Sequence, residues 1–197
     1  MRTFAGAGVL ALVAAISTAF GQGSTVDEIA KYRLALQDGR CLNYPDEYFD
    51  KVFSISVVEH IEGEGDSQTM REIGRVLKSD GLCCVTVPVA ASYRESTIDH
   101  DLYYKKRMND QPVFYQRHYD PKTLSTRLIK PSGLKLLCLE FFGERWFPYE
   151  KFYESIPRPL KVTLSLMGPL FSRLFLRKLN ADAISAAKAA LLVLGKV

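Results

Sequence analysis

Apolar and polar positions along the chain change period several times, and each change predicts an element. Residues 32–37 alternate polar and apolar and predict a short strand. Residues 42–47 form a turn-rich stretch. Residues 51–58 are a β-branched and aromatic run, which suits a buried strand. Asp66 or Ser67 is suited to cap a helix whose apolar face is Met70, Ile73 and Leu77. Ser79, Asp80 and Gly81 should stop it, with Gly81 in the left-handed turn. Residues 82–87 read as a second apolar strand, closed by Pro88. Strand, helix and strand in this order predict a parallel crossover unit.

A long polar and aromatic loop is expected over residues 90–119. Asp120 and Pro121 open another helix, with proline at its first position, and Ser132 and Gly133 end it. Residues 134–142 and 189–194 read as further strands. Residues 147–180 form a basic, apolar, proline-containing insertion. The alternation predicts a layered α/β domain over residues 24–197.

Residues 1–23 stand apart. Arg2 is followed by an apolar run from Ala5 to Phe20 and then by Gly21-Gln-Gly-Ser24. Two readings stay open: a secretory signal, or a buried helix of the domain. The first predicts export, the second a cytoplasmic protein.

Composition narrows the classes. A chain of 197 residues that is 47% hydrophobic can bury a substantial core, which argues against disorder. A net charge of +4 is too mild for a dedicated nucleic-acid binder. Cys41, Cys83, Cys84 and Cys138 lack zinc-ligand or disulfide-framework spacing and are expected to be buried, reduced thiols. No metal site is expected.

Three segments resemble the class I S-adenosylmethionine-dependent methyltransferases, especially the branch that includes ubiquinone and menaquinone biosynthesis enzymes. The first runs from Asp38 to Asp50. Leu42, Tyr44, Pro45, Asp46, Phe49 and Asp50 fall in step with the family's L-P-F-P-D loop and following F-D, and Asn43 stands where proline is usual. The second runs from Val52 to His60, and its Glu59 and His60 are similar to the family's L-E-H strand ending. The third runs from Arg71 to Lys78, then Gly81 and the strand up to Pro88, and looks like the R-V-L-K-P-G-G helix and strand. Residues 119–124 are a weaker fourth match. Together these cover residues 36–142.

The resemblance implies a Rossmann-like sheet with flanking helices, expected to be N-terminally incomplete. It implies S-adenosylmethionine as cofactor and methyl transfer to a small, lipophilic acceptor. Asp38 would accept from the adenine amino group, with Gly39 alongside. Ser54, Ile55 and Ser56 would line the methionine part, because ligands bind at the carboxyl ends of strands in open α/β sheets. Asp27 or Glu28 would take the ribose hydroxyls. His60 is the candidate base, since imidazole titrates near neutrality. Glu59, Tyr93, Arg117 and His118 are candidate substrate contacts.

One departure qualifies the picture. The family's glycine-rich turn, where a side chain would block the cofactor, has only Ala5-Gly-Ala-Gly8 or Gly21-Gln-Gly23 as counterparts. A degenerate, non-catalytic scaffold of the same fold is therefore the rival expectation. Residues 159–179 mix large apolar residues with basic ones, which suits peripheral contact with an anionic membrane, or a core helix pair. The oligomeric state is not legible.

Overall fold

The computed structural model describes residues 37–99, 112–144, 176–180 and 186–197, with isolated positions at 35, 152 and 155–157. Strand β1 is Phe49–Ile55, helix α1 is Gly65–Val76 and strand β2 is Leu77–Pro88. A one-turn 3-10 helix, Val58–His60, lies between β1 and α1. Strands β1 and β2 are adjacent and parallel, with Val52 opposite Cys83 and Ser54 opposite Val85, so the expected crossover unit is present.

The remaining elements follow. Strands β3 (Arg94–Ile98) and β4 (Val113–His118) pair antiparallel as a separate ribbon. Helix α2 joins Pro121–Thr123, a π-helical stretch Leu124–Ile129, and Lys130–Ser132. Strands β5 (Lys135–Glu144), β6 (Leu176–Leu179) and β7 (Ala187–Gly195) complete a five-stranded sheet in the order β1-β2-β7-β5-β6. The last strand in sequence is inserted between β2 and β5 and runs antiparallel to both. The fold is a mixed α/β sheet with flanking helices.

One face of the sheet is the core. Val52, Cys83, Val85, Val87, Ala190, Leu192 and Leu194 point the same way and are buried with Val58, Met70, Ile73, Leu124 and Leu128. Their period of two meets the helical period of α1, which is how two patterns close one core. Gly74 marks a close approach between the helices: a Cβ there would sit 2.0 Å from the Ser132 carbonyl oxygen.

Several expectations are corrected. Neither Asp66 nor Ser67 caps α1. The cap is Glu64, with no side-chain bond, and Asp66 is buried in the first turn. Gly81 is not the left-handed residue; Asp80 is, at φ 62. The helix passes straight into β2 because its last carbonyls are taken by other groups. Glu47 and Tyr48 N–H donate to Arg75 and Val76, and the Lys196 ammonium donates to Gly74 and Leu77. The loop expected over 90–119 contains the β3–β4 ribbon. Cys41 is exposed, although the other cysteines are buried or partly so, and all four are free thiols.

Helix α2 starts as the sequence predicts. Asp120 and Thr123 form a capping box, with Pro121 at the first position. It ends at Gly133, at φ 67. Pro131 has no N–H for the Arg127 carbonyl four residues back, and the Ser67 hydroxyl of α1 donates to that carbonyl instead, at 2.9 Å. The expected strand at 32–37 falls mostly outside the described residues, as do the segment 1–23 and most of the insertion 147–180. No described helix is long and apolar enough to cross a membrane.

Candidate functional site

The carboxyl end of β1 and the turn after it gather five of the expected residues: Ser54, Ile55, Ser56, Glu59 and His60. Ser54 is buried, and its hydroxyl has no hydrogen-bond partner among the described residues. Ile55 points to the opposite face and is 57% exposed. Ser56 leaves the strand at φ 50, unusual for a residue with a Cβ. Its N–H donates to the Thr86 carbonyl at 3.1 Å and to the Thr86 hydroxyl at 3.2 Å, which fixes the turn.

Glu59 and His60 follow in the 3-10 turn. His60 is partly exposed, and its Nδ1 lies 2.8 Å from the carbonyl oxygen of Tyr115 in β4. The two rings lie 5.1 Å apart between centroids. Glu59, expected at a substrate surface, turns inward and is 1% exposed. Its Oε1 is 3.8 Å from His60 Nε2, and its Oε2 has no partner among the described residues. Burial pushes the Glu59 carboxyl up to about 7, against a smaller opposing effect of hydrogen bonds from its own backbone and Ser56.

Arg117 was also expected to face substrate, and it is fully buried. Its guanidinium donates to the carbonyls of Ile61, at 2.5 Å, and Gly63, at 2.6 Å. Its Nε lies 3.2 Å from Glu95 and 3.8 Å from Asp66. A cation so committed holds the ribbon to the loop before α1 and does not reach a ligand. Tyr93 donates its hydroxyl to Glu95 at 2.6 Å. His118 is partly exposed on the ribbon, beside Gln116.

Asp38 and Gly39 lie in a separate turn before β1. Asp38 is exposed, Gly39 is buried, and the turn is closed by Cys41 N–H donating to the Asp38 carbonyl. Both Asp38 oxygens are occupied by Arg40, whose N–H, Nε and terminal nitrogen donate at 2.7–3.1 Å. Arg40 accordingly holds the carboxyl below its usual range. The next loop is stapled to α1 by Arg75. That guanidinium donates to the Leu42 and Tyr44 carbonyls and to Asp46 and Glu72, and Glu72 in turn accepts from Leu42 N–H. Asp27 lies outside the described residues.

Sequence reasoning missed the node at Asp66. This fully buried carboxylate accepts from Arg127, from the Tyr119 hydroxyl and from Ser67 N–H. An acidic residue in a helix's first turn looks like a cap, and only the distant Tyr119 and Arg127 reveal another role. Among the described residues no group of three or more metal-ligating side chains converges.

Residues 11–85 match the model of a methyltransferase domain family. No curated protein matches the chain. Similar solved structures include the cyclase SpnF, 20% identical, covering 82% of this chain and 54% of that one, with a TM-score of 0.43. A S-adenosylmethionine-dependent methyltransferase from Methanosarcina mazei is 10% identical, covering 83% and 66%, with a TM-score of 0.46. A Burkholderia thailandensis 1,6-didemethyltoxoflavin N1-methyltransferase, solved with 1,6-didemethyltoxoflavin and S-adenosylhomocysteine, is 12% identical, covering 81% and 48%, with a TM-score of 0.43. The chain thus spans between 48% and 66% of the length of these three proteins. Over residues 11–85, less than half of its length, the chain is thus similar to a methyltransferase domain family.

Proposed function

We propose that this chain transfers a methyl group from S-adenosylmethionine to a small, lipophilic acceptor. The family match over residues 11–85 is the observation that carries the reading. The residues at the end of β1 fit such a cofactor. Ser54 has a buried hydroxyl with no described partner, and Ser56 turns the chain at the strand tip where ligands of open α/β sheets bind.

The cofactor supplies an activated methyl group, so the protein's work is alignment and, for a protonated nucleophile, removal of a proton. Ser54, Ile55 and Ser56 would hold the methionine part, and Asp27 the ribose. Asp38 and Gly39 would hold the adenine, once Arg40 gives way. His60, partly exposed at the strand tip, would take the proton. Tyr93 and His118 would face the acceptor. Residues 159–179 would let the enzyme meet that acceptor at an anionic membrane surface from the cytoplasmic side.

A second reading is a non-catalytic scaffold of the same fold. The occupation of both Asp38 oxygens by Arg40 favours it. Thermal unfolding with and without S-adenosylhomocysteine separates the two, because a ligand that binds only the folded state raises the melting temperature. A rise, followed by methyl transfer to acceptors of graded hydrophobicity, supports the enzyme. No rise at millimolar ligand sinks it.

A further inference from the structure

We infer that the sheet face turned away from α1 and α2 is a docking surface for residues 5–20 of this same chain, which lie over β1 and β2 as a helix.

The two faces of the sheet differ. On the core face, where both helices pack, Val52, Cys83, Val85, Leu192 and Leu194 have no solvent exposure. On the other face Phe53 stands beside Cys84, Cys84 beside Val193, and Leu191 beside Thr86. None of these is buried, and Leu82 and Ile55 are 40% and 57% exposed. A cavity of about 240 Å³ opens between Phe53, Leu82 and Val193. Charge reaches this face at its margins, through Lys51 of β1 and through Glu140 of β5, which pairs with Lys178. Parallel strands such as β1 and β2 ordinarily have both faces out of water. This apolar surface therefore needs a cover.

The sequence outside the described residues holds two apolar stretches, and one of them fits. After Arg2 no charged residue occurs before Asp27. Val9, Leu12, Val13 and Ile16 fall at helical spacing, with small residues at 11, 14, 15 and 17 between them. That gives one bulky stripe to lay on a sheet. A helix over residues 5–20 is about 24 Å long, and the seven residues of β1 span about 23 Å. Residues 145–175 fit worse. They carry Arg145, Glu150, Lys151, Arg158 and Lys161, and Gly168 and Pro169 interrupt their most apolar stretch.

The family match adds an independent reason. It begins at residue 11, inside the run, and continues into β2. The run is thus read as part of the domain and not as a leader to be removed. Ile55 stands at the tip of β1 on this face, so the cover would also wall the candidate site on that side.

The test is photo-crosslinking on the full chain, with a diazirine-bearing apolar amino acid at position 82 and mass-spectrometric mapping of the links. Mixing ordinary and nitrogen-15 chains separates links within one molecule from links between two. We expect links from position 82 to residues 5–20 of the same molecule. Links to residues 145–175, links between copies, or no link to protein overturn the inference. Hydroxyl-radical footprinting of the unaltered chain guards against a variant that fails to fold. Leu82 and Ile55 should be protected as Leu192 is, and oxidation as ready as that of the exposed Val197 overturns the inference. Val13→Glu should expose Leu82 to the radical and leave Leu192 protected. Unchanged protection of Leu82 in that variant assigns the cover to another segment and equally defeats the inference.

Discussion

Arg127 grips both oxygens of Asp66, Nε to Oδ2 and a terminal nitrogen to Oδ1, each at 2.8 Å and across 61 positions of sequence. The carboxylate has no solvent exposure. Arg117 stands 3.8 Å away, and Tyr119 donates a further bond at 2.9 Å. One buried anion therefore ties α1, α2 and the β3–β4 ribbon together. A planar guanidinium suits this fork, which an ammonium could not fill.

Removing that anion leaves two buried or half-buried cations without their partner. We predict that Asp66→Ala lowers stability by about 3–5 kcal/mol, the usual loss when one member of a buried pair is deleted. Asp50→Ala, which breaks the exposed and solvent-screened Lys78 pair, should cost far less than Asp66→Ala. Urea unfolding of the two variants provides the comparison. Equal losses would mean that Asp66 is satisfied by other means.

Much of the sheet was legible because its strands are buried on alternating or continuous apolar runs. The helix opening at Asp120 was legible because capping is local. The β3–β4 ribbon was not. Its strands are polar on most positions, as in Arg94, Glu95, Gln116 and Arg117, so no period-two pattern marks them. Within the candidate site, the motif singled out Ser54, Ser56 and His60, and the fold brings them to the tip of β1. The burial of Glu59 and Arg117 was invisible, because charged side chains seldom go inside and the partners that allow it are distant in sequence.

Gly74 has a second, independent consequence for the helix pair. An added methyl group would overlap the Ser132 carbonyl, a backbone atom that cannot rotate away. Gly74→Ala would raise helix propensity in an isolated peptide, yet it must push α1 from α2. We predict a net loss of about 1–3 kcal/mol, the range for overpacking. A melting temperature at or above that of the unaltered chain would refute the close approach.

Glu59 sets a pH dependence with a definite sign. Its folded value, about 7, lies above the ordinary 4.5. The folded state therefore binds the proton more tightly than the unfolded chain does. This contribution is fully present below pH 4.5, is lost between 4.5 and 7, and changes no further above. The shift amounts to about 3 kcal/mol. Glu59→Gln should therefore gain about that much relative to the unaltered chain as pH rises from 4 to 8. Parallel stability curves would contradict it.

The thiols should separate by burial. Cys41 is exposed, whereas Cys83 is buried and its thiol is pushed up to about 12 by loss of solvent. The nucleophile in thiol exchange is the thiolate. We predict rapid modification of Cys41 in the native chain and near inertness of Cys83. After denaturation without reductant, all four should react. Fewer than four would indicate a disulfide.

The last prediction concerns Asp38 and Arg40. For Asp38 to accept from an adenine amino group, Arg40 must release at least one oxygen. Both side chains are about half exposed, at 50% and 52%, so the pair is screened, and its worth is about 0–1 kcal/mol. Displacing it is a small obstacle. Arg40→Ala should therefore tighten S-adenosylhomocysteine binding by no more than about fivefold. Asp38→Ala removes the acceptor itself. It should weaken binding by about 1 kcal/mol or more, a typical net hydrogen-bond contribution. The double variant should resemble Asp38→Ala, because Arg40 acts only by competing for that carboxylate. Calorimetric titration of the four proteins distinguishes the roles. If Arg40→Ala weakens binding as much as Asp38→Ala does, the arginine is holding the turn in shape and not blocking it.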